Sequence, residues 1–268
     1  MKKLLFLFSA LTIVLTSCAN DDDNSSSEEN YILPKIFSDG DIDFPNHQKR
    51  KITNTFSGNK LVSSVEENFK TLYTYEGNAI VKEELFLVFS DNSERKFSEV
   101  LRVYENGKLK SSIERMGFNA KKPNGQDAYR AEYTHVSDKL IALVTYSINL
   151  KTEVETKMDT VVMTFNGTNL IKYQSFVLNS TTPIVTELYE YDTKNRPHKN
   201  VLGFNFLNVS YPGFGNSNNV IKKTVTNEHI KTPTTFLINF TYNDKGYPTR
   251  ILSLGFGNKV EENHEYTY

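Results

Sequence analysis

The 268-residue sequence predicts an all-β protein, a long antiparallel meander of repeated hairpins forming a strongly curved or partly closed sheet. Three observations carry this prediction. Beyond about residue 45, β-rich runs alternate with Asn/Gly/Asp/Lys clusters, which is how hairpins read in a sequence. Within the runs, apolar and polar residues alternate with period two: Ile238, Phe240 and Tyr242 share a face, as do Val161, Met163 and Phe165. No stretch beyond residue 30 has the apolar period of an amphipathic helix, residues 61–70 being the one ambiguous segment.

Taken in order, the chain opens with Lys2 and Lys3 and an apolar run over residues 4–15 broken only by Ser9 and Thr12. A positive flank followed by so short a run is a secretory signal and not a membrane-spanning helix. The run ends in Leu15-Thr16-Ser17-Cys18, which resembles the lipobox of bacterial lipoproteins. The resemblance implies a signal peptide over residues 1–17 and a lipidated Cys18 as the new N-terminus; an ordinary signal with an incidental cysteine is the alternative. At about 0.8 kcal/mol per buried CH₂, the three acyl chains of that modification hold a protein on a membrane stably. Cys18 is the one cysteine, so the mature fold has no disulfide, no multi-cysteine metal centre and no thiol nucleophile.

Residues 18–30 then form an acidic tether. Residues 19–30 contain five acids, no base and no apolar residue larger than alanine, so they cannot repay the entropy of ordering. A flexible chain of this length spans roughly 17–21 Å on average. Asp21, Asp22 and Asp23 resemble the acidic export signal of Bacteroidetes surface lipoproteins, which implies an outer-membrane, lipid-anchored and cell-surface-exposed location, with the periplasmic face next. The formal charge of -1 hides this segregation: from Tyr31 onward, 29 basic side chains face 27 acidic ones. Such a balance excludes a nucleic-acid-binding surface.

Residues 31–268 read as one all-β domain. Its recurring unit is a strand ending in an aromatic, a turn carrying Asn or Gly, and an apolar outgoing strand, as in Tyr75-Glu76-Gly77-Asn78-Ala79-Ile80 and Tyr104-Glu105-Asn106-Gly107-Lys108-Leu109. The aromatics fall at positions 56, 75, 104, 133, 165, 191 and 242, a period in the range of repeat architectures. Pro197 and Pro248 directly follow their turns, a place a strand start tolerates. Tyr191-Asp192-x-x-Asn195-Arg196-Pro197 and Tyr242-Asn243-Asp244-x-Gly246-x-Pro248 resemble YD-type (Rhs-like) hairpin units, in the version found in uncharacterised Bacteroidetes surface lipoproteins. That resemblance implies a fold unit and no chemistry.

Few residues suggest a site. Glu262 and His264 share a strand face, as a weak metal pair or as edge-guarding charge. Asp39, Asp41 and Asp43 alternate like the start of an EF-hand loop, but Phe44 and Arg50 stand where glycine and glutamate belong, so a linker turn is the better reading. Adjacent acids such as Glu83-Glu84 point to opposite faces of a strand and make no glycosidase pair. The insertion over residues 203–219 offers Tyr211 and Phe214 as a recognition loop, or else folds over and plugs the end of the sheet. The expected function is a non-catalytic binding or structural module with no cofactor and no metal. Its expected partners are the membrane through Cys18 and a glycan, small apolar ligand or surface protein. A carrier holding a ligand in the concave face, and a hydrolase with carboxylates from distant strands, are the rivals.

Overall fold

The computed structural model describes residues 31–41, 50–208, 215–255 and 260–268. Cys18, Asp21, Asp22, Asp23, Tyr211 and Phe214 therefore lie outside the described residues, as does Asp43.

Sixteen strands follow one another in chain order: β1 (Ile36–Asp41), β2 (Arg50–Ser57), β3 (Lys60–Glu66), β4 (Phe69–Glu76), β5 (Ala79–Val88), β6 (Glu94–Glu105), β7 (Lys108–Met116), β8 (Asp127–Ser137), β9 (Leu140–Ile148), β10 (Glu155–Asn166), β11 (Asn169–Val177), β12 (Val185–Tyr191), β13 (Val220–Asn227), β14 (Ile230–Tyr242), β15 (Pro248–Leu254) and β16 (Val260–Thr267). Each pairs antiparallel with its neighbours, and β1 pairs with β16, from Ile36 opposite Thr267 to Asp41 opposite Glu262. The sheet is a closed barrel. The expected partly closed sheet thus goes one step further: the β1–β16 ladder removes both edges, which otherwise offer unpaired backbone groups to other chains. The ambiguous stretch 61–70 is the end of β3, a tight turn and the start of β4.

The short turns of the repeated units, β2–β3, β4–β5, β6–β7, β8–β9 and β10–β11, lie at one rim, opposite the equally short β3–β4 and β13–β14 turns. At the first of these, the turn rim, the aromatic of each unit points inward, and the first inward residue of the outgoing strand is sealed: Leu61, Ile80, Leu109, Ile141 and Leu170 are 0–8 % exposed. Neighbouring units are stitched through these residues. The Tyr75 hydroxyl accepts from the Leu61 amide at 3.1 Å, the Tyr104 hydroxyl donates to the Ile80 carbonyl at 3.2 Å, and the Tyr191 hydroxyl donates to the Leu170 carbonyl at 2.6 Å. In the weakest unit His135 takes this part, with Nε2 2.8 Å from the Leu109 carbonyl oxygen.

Each of these hairpins also carries a β-bulge beside its turn, for example between Thr55 and Phe56, Thr74 and Tyr75, and Val103 and Tyr104. The extra residue is turned outward, so Val62, Val136, Ile171 and Ile221 are exposed at this rim. Gly107 adopts φ +73° and Gly58 φ +57°, backbone that a tight hairpin needs and most residues resist.

Two apolar clusters fill the barrel near the turn rim. One joins Leu109, Tyr133, Ile141, Val161, Met163, Phe165 and Leu170; the other joins Leu33, Leu61 and Ile80 to Val201, Phe204 and Leu207. The last three belong to the β12–β13 connection, which closes the turn rim as a plug.

Candidate functional site

The plug begins at Arg196 and includes a 3-10 turn, Phe204–Asn208. Its backbone is fixed to two hairpin turns: the Leu202 amide donates to the Asn59 carbonyl at 2.9 Å, and the Tyr75 hydroxyl donates to the Leu202 carbonyl at 3.2 Å. Gly203, at φ +80°, lies so close to the β4–β5 turn that a Cβ would sit 2.9 Å from the Asn78 carbonyl oxygen. On its return the plug is held by asparagines. Asn216 is buried and its Oδ1 accepts from the Leu170 amide at 3.0 Å, while Asn219 donates to the Asp192 carboxylate at 3.0 Å. The described residues on either side of 209–214 are thus hydrogen-bonded back onto the rim, and the recognition residues Tyr211 and Phe214 lie outside the described residues. Pro197 corrects one expectation: it lies in the plug and does not start a strand, whereas Pro248 does open β15.

Beside the plug, at the turn rim, lies an open cavity of about 300 Å³. Three consecutive turns frame it, with Gly107 and Lys108, Ser137 and Asp138, and Gly167 and Thr168. Leu109, Ile141 and Phe165 make an apolar floor, and Phe206 and Asn205 of the plug form one wall. Phe206 is held in place by an edge-on contact with Tyr104, with ring centroids 6.0 Å apart. Lys108 and Asp138 pair across the lip at 3.1 Å in an exposed position, an interaction worth little by itself but able to orient a polar group. An apolar floor with a polar lip suits a small ligand having an apolar body and a polar tip.

The rest of the lumen is mixed in character. A second cavity, about 280 Å³, lies towards the opposite rim between Ile52, Ser64, Glu66, Phe69, Thr71 and Leu85. Several inward carboxylates are engaged by cations: Glu83 by Arg102 at 2.8 Å, Glu187 by Lys223 at 2.7 Å, and Asp39 by Arg50. Tyrosines inside the barrel are pushed upward by burial, Tyr75 and Tyr104 each to about 12, so they serve as neutral hydrogen-bonding groups.

The sequence-derived candidates fare differently. Glu262 and His264 do share the inner face, with His264 Nε2 3.2 Å from Glu262 and Nδ1 3.2 Å from Asp39 on β1. No group of three potential metal ligands forms among the described residues. Asp39 lies in a strand paired on both sides, so the alternating aspartates do not begin a calcium loop; that placement overrides the linker-turn reading at Asp39 too. Glu83 and Glu84 face opposite sides as expected, Glu83 meeting Arg102 inside and Glu84 meeting Lys82 and Lys96 outside. Phe206 and Arg196 escaped the sequence reading. The asparagines that follow the insertion were its one usable signal for a segment that is hydrogen-bonded back to the rim.

The outer wall completes the site's electrostatics. Across β5 to β7 it carries Lys82, Glu84, Lys96, Glu99 and Arg115 in one ion-pair network, with Lys82 and Lys96 each 2.8 Å from Glu84 and Arg115 3.3 Å from Glu99. Beside it Arg130 forks onto Glu155 with both bonds at 2.7 Å, stacks 4.4 Å over Tyr146 and reaches Glu132.

Comparison with known proteins adds the fold. No protein-family model matches the chain, and no curated protein matches it. Among solved structures, a porin-like protein of Bacteroides vulgatus superposes with TM-score 0.58 at 12% identity, covering 89% of this chain and 99% of that one. The two share a fold. A second porin-like protein, from Bacteroides uniformis, gives TM-score 0.47 at 9% identity over 87% of this chain and 97% of that one.

Proposed function

We propose that the chain is a lipid-tethered, non-catalytic binding module whose barrel stands in water at the outer membrane, anchored through Cys18 and exposed at the cell surface by the Asp21-Asp22-Asp23 signal. The observation that carries this reading is the charged outer wall. A barrel that crosses a bilayer presents an apolar band, and each Arg or Lys at mid-membrane costs about 2–4 kcal/mol. Here Lys82, Lys96, Arg115 and Arg130 lie within strands, already satisfied by carboxylates on the same wall. The likeness to the porin-like protein of Bacteroides vulgatus is therefore taken for barrel shape alone.

The described chain enters at the plugged rim, where Leu33 packs against the plug, the Lys35 amide donates to the Thr267 carbonyl at 2.8 Å, and Asn200 donates to the Ile32 carbonyl at 3.2 Å. A carrier role is the second reading, favoured by the 300 Å³ cavity with its apolar floor. The YD-type resemblance accounts for the repeated hairpins and leaves both readings open.

Protease shaving of intact cells, followed by mass spectrometry of the released fragments, tests the placement. Release of barrel peptides from intact cells is expected, together with loss of membrane attachment in Cys18→Ala. Survival on intact cells with cleavage only after lysis overturns surface exposure.

A further inference from the structure

Along the turn rim a tyrosine hydroxyl joins neighbouring units: Tyr75 accepts from the Leu61 amide, Tyr104 donates to the Ile80 carbonyl and Tyr191 donates to the Leu170 carbonyl. Two consecutive units depart from this rule. In one, His135 takes the part of the hydroxyl, with Nε2 2.8 Å from the Leu109 carbonyl oxygen. In the next the aromatic is Phe165, which has no hydroxyl to give. Both departures line the same open cavity of about 300 Å³ beside the plug. The cavity lies between two attachments of the plug, one through Leu202 to Asn59 of the β2–β3 turn and one through Ser217 to Asn169 of the β10–β11 turn.

Each lining group narrows what the cavity can take. Leu109, Ile141 and Phe165 make the floor apolar, and the half-buried Phe206 offers an aromatic wall. A ring laid between them gains aromatic contacts beyond its apolar burial. A carbonyl oxygen can only accept, so His135 Nε2 carries the proton, and Nδ1 of the neutral ring is left as an acceptor. Lys108 and Asp138 pair at the lip at 3.1 Å and sum to zero, and no other Lys, Arg, Asp or Glu is among the described residues lining the cavity. An uncharged ligand loses nothing there, whereas a net charge finds no counter-charge to spare. The volume is at the small end of the ~300–1,000 Å³ range of ligand clefts, which suits one or two rings and not an oligosaccharide.

We propose that this cavity binds a small uncharged aromatic molecule carrying one N–H or O–H donor, its ring between Phe206 and the floor and its donor on His135 Nδ1. Indole and phenol are the simplest members of the class. The proposal rests on the carrier reading of the same cavity and adds a donor-specific contact to it.

The chain has no tryptophan, so an added indole is the one indole fluorophore in the sample. The test titrates the mature chain, with Cys18→Ala so that no acyl chain is attached, into 3-methylindole and separately into its isomer 1-methylindole. The isomers match in size and apolar surface, and the first alone has an N–H. A saturable blue shift of 3-methylindole emission is expected, with 1-methylindole bound roughly tenfold more weakly. In His135→Phe the two isomers are expected to bind alike, and Phe206→Ala is expected to weaken both about fivefold. If His135→Phe fails to fold, the isomer comparison in the wild-type chain and the Phe206→Ala titration decide. Equal binding of the isomers to wild type overturns the donor contact and leaves the carrier reading standing. Binding that Phe206→Ala leaves unchanged is not in this cavity and overturns the proposal. Tighter binding of tryptamine or indole-3-acetate than of 3-methylindole overturns the uncharged class. No saturable binding of either isomer, of phenol or of toluene removes the carrier reading as well.

Discussion

Removing the side chain of Leu207 tests whether the plug is a structural part of the barrel. Leu207 is 1 % exposed and packs with Leu33, Leu61, Ile80, Val201 and Phe204. Leu→Ala at such a site loses the transfer energy of the deleted groups and leaves a cavity, about 2–5 kcal/mol together. The plug has no strand partners, so its backbone settles partly into the space. That puts Leu207→Ala in the lower half of the range, about 2–3 kcal/mol, or a fall in Tm of about 5–10 °C for a domain of this size. Hydrogen exchange locates the effect: the Leu202 amide, bonded to Asn59, and the Leu61 amide, bonded to Tyr75, are expected to lose protection before the amides of β8 to β10. Val136→Ala, at an exposed bulge residue, is the control and stays within about 0.5 kcal/mol. If Leu207→Ala melts with the control and leaves both amides protected, the plug contributes nothing to closing the rim and the reasoning is wrong.

Three further outcomes follow from the same packing. His198, held down to about 3 by burial and by Arg196, is protonated in the unfolded chain below about pH 6.5 but not in the fold. The unfolded state then binds more protons, so stability falls as the pH drops from 6.5. The loss is about 2 kcal/mol by pH 5, read from urea melts, and a His198→Phe variant that keeps the full slope refutes the assignment. Tyr75→Phe deletes the acceptor of the Leu61 amide and the donor to the Leu202 carbonyl, and is expected to cost about 1–3 kcal/mol in the same assay; a neutral result means the stitching between units is idle. Gly203→Ala forces a side chain into φ +80° and to within 2.9 Å of the Asn78 oxygen, costing about 1–3 kcal/mol, and an unchanged Tm contradicts that close approach.

The hairpins were legible because each is local: the alternation that puts Val161, Met163 and Phe165 on one face and the Gly or Asn of each turn are written within a few residues. The aromatic spacing located the inward rings at the turn rim, from Phe56 to Tyr242. Closure was not legible. It depends on β1 meeting β16, residues more than two hundred positions apart, and period-two alternation is the same in an open sheet and a barrel. The bulges hid for a similar reason, since one extra residue such as Val62 or Ile171 shifts the alternation without breaking it. The plug misled at Pro197 because Asn195-Arg196-Pro197 reads like Lys245-Gly246-Tyr247-Pro248 until the chain turns inward. Arg196 gave no warning at all: an arginine after a turn is ordinarily solvated, and only the folded barrel buries it.

The outer wall supports the central claim, and detergent is its most direct test. The compact unit of residues 31–268, made without residues 1–30, is expected to purify from aqueous buffer as a soluble β-rich protein and to add no conductance to a planar bilayer. A barrel that dissolves only in detergent, or that opens stable channels in the bilayer, contradicts a wall built around Glu84, Glu99 and Arg130 to face water.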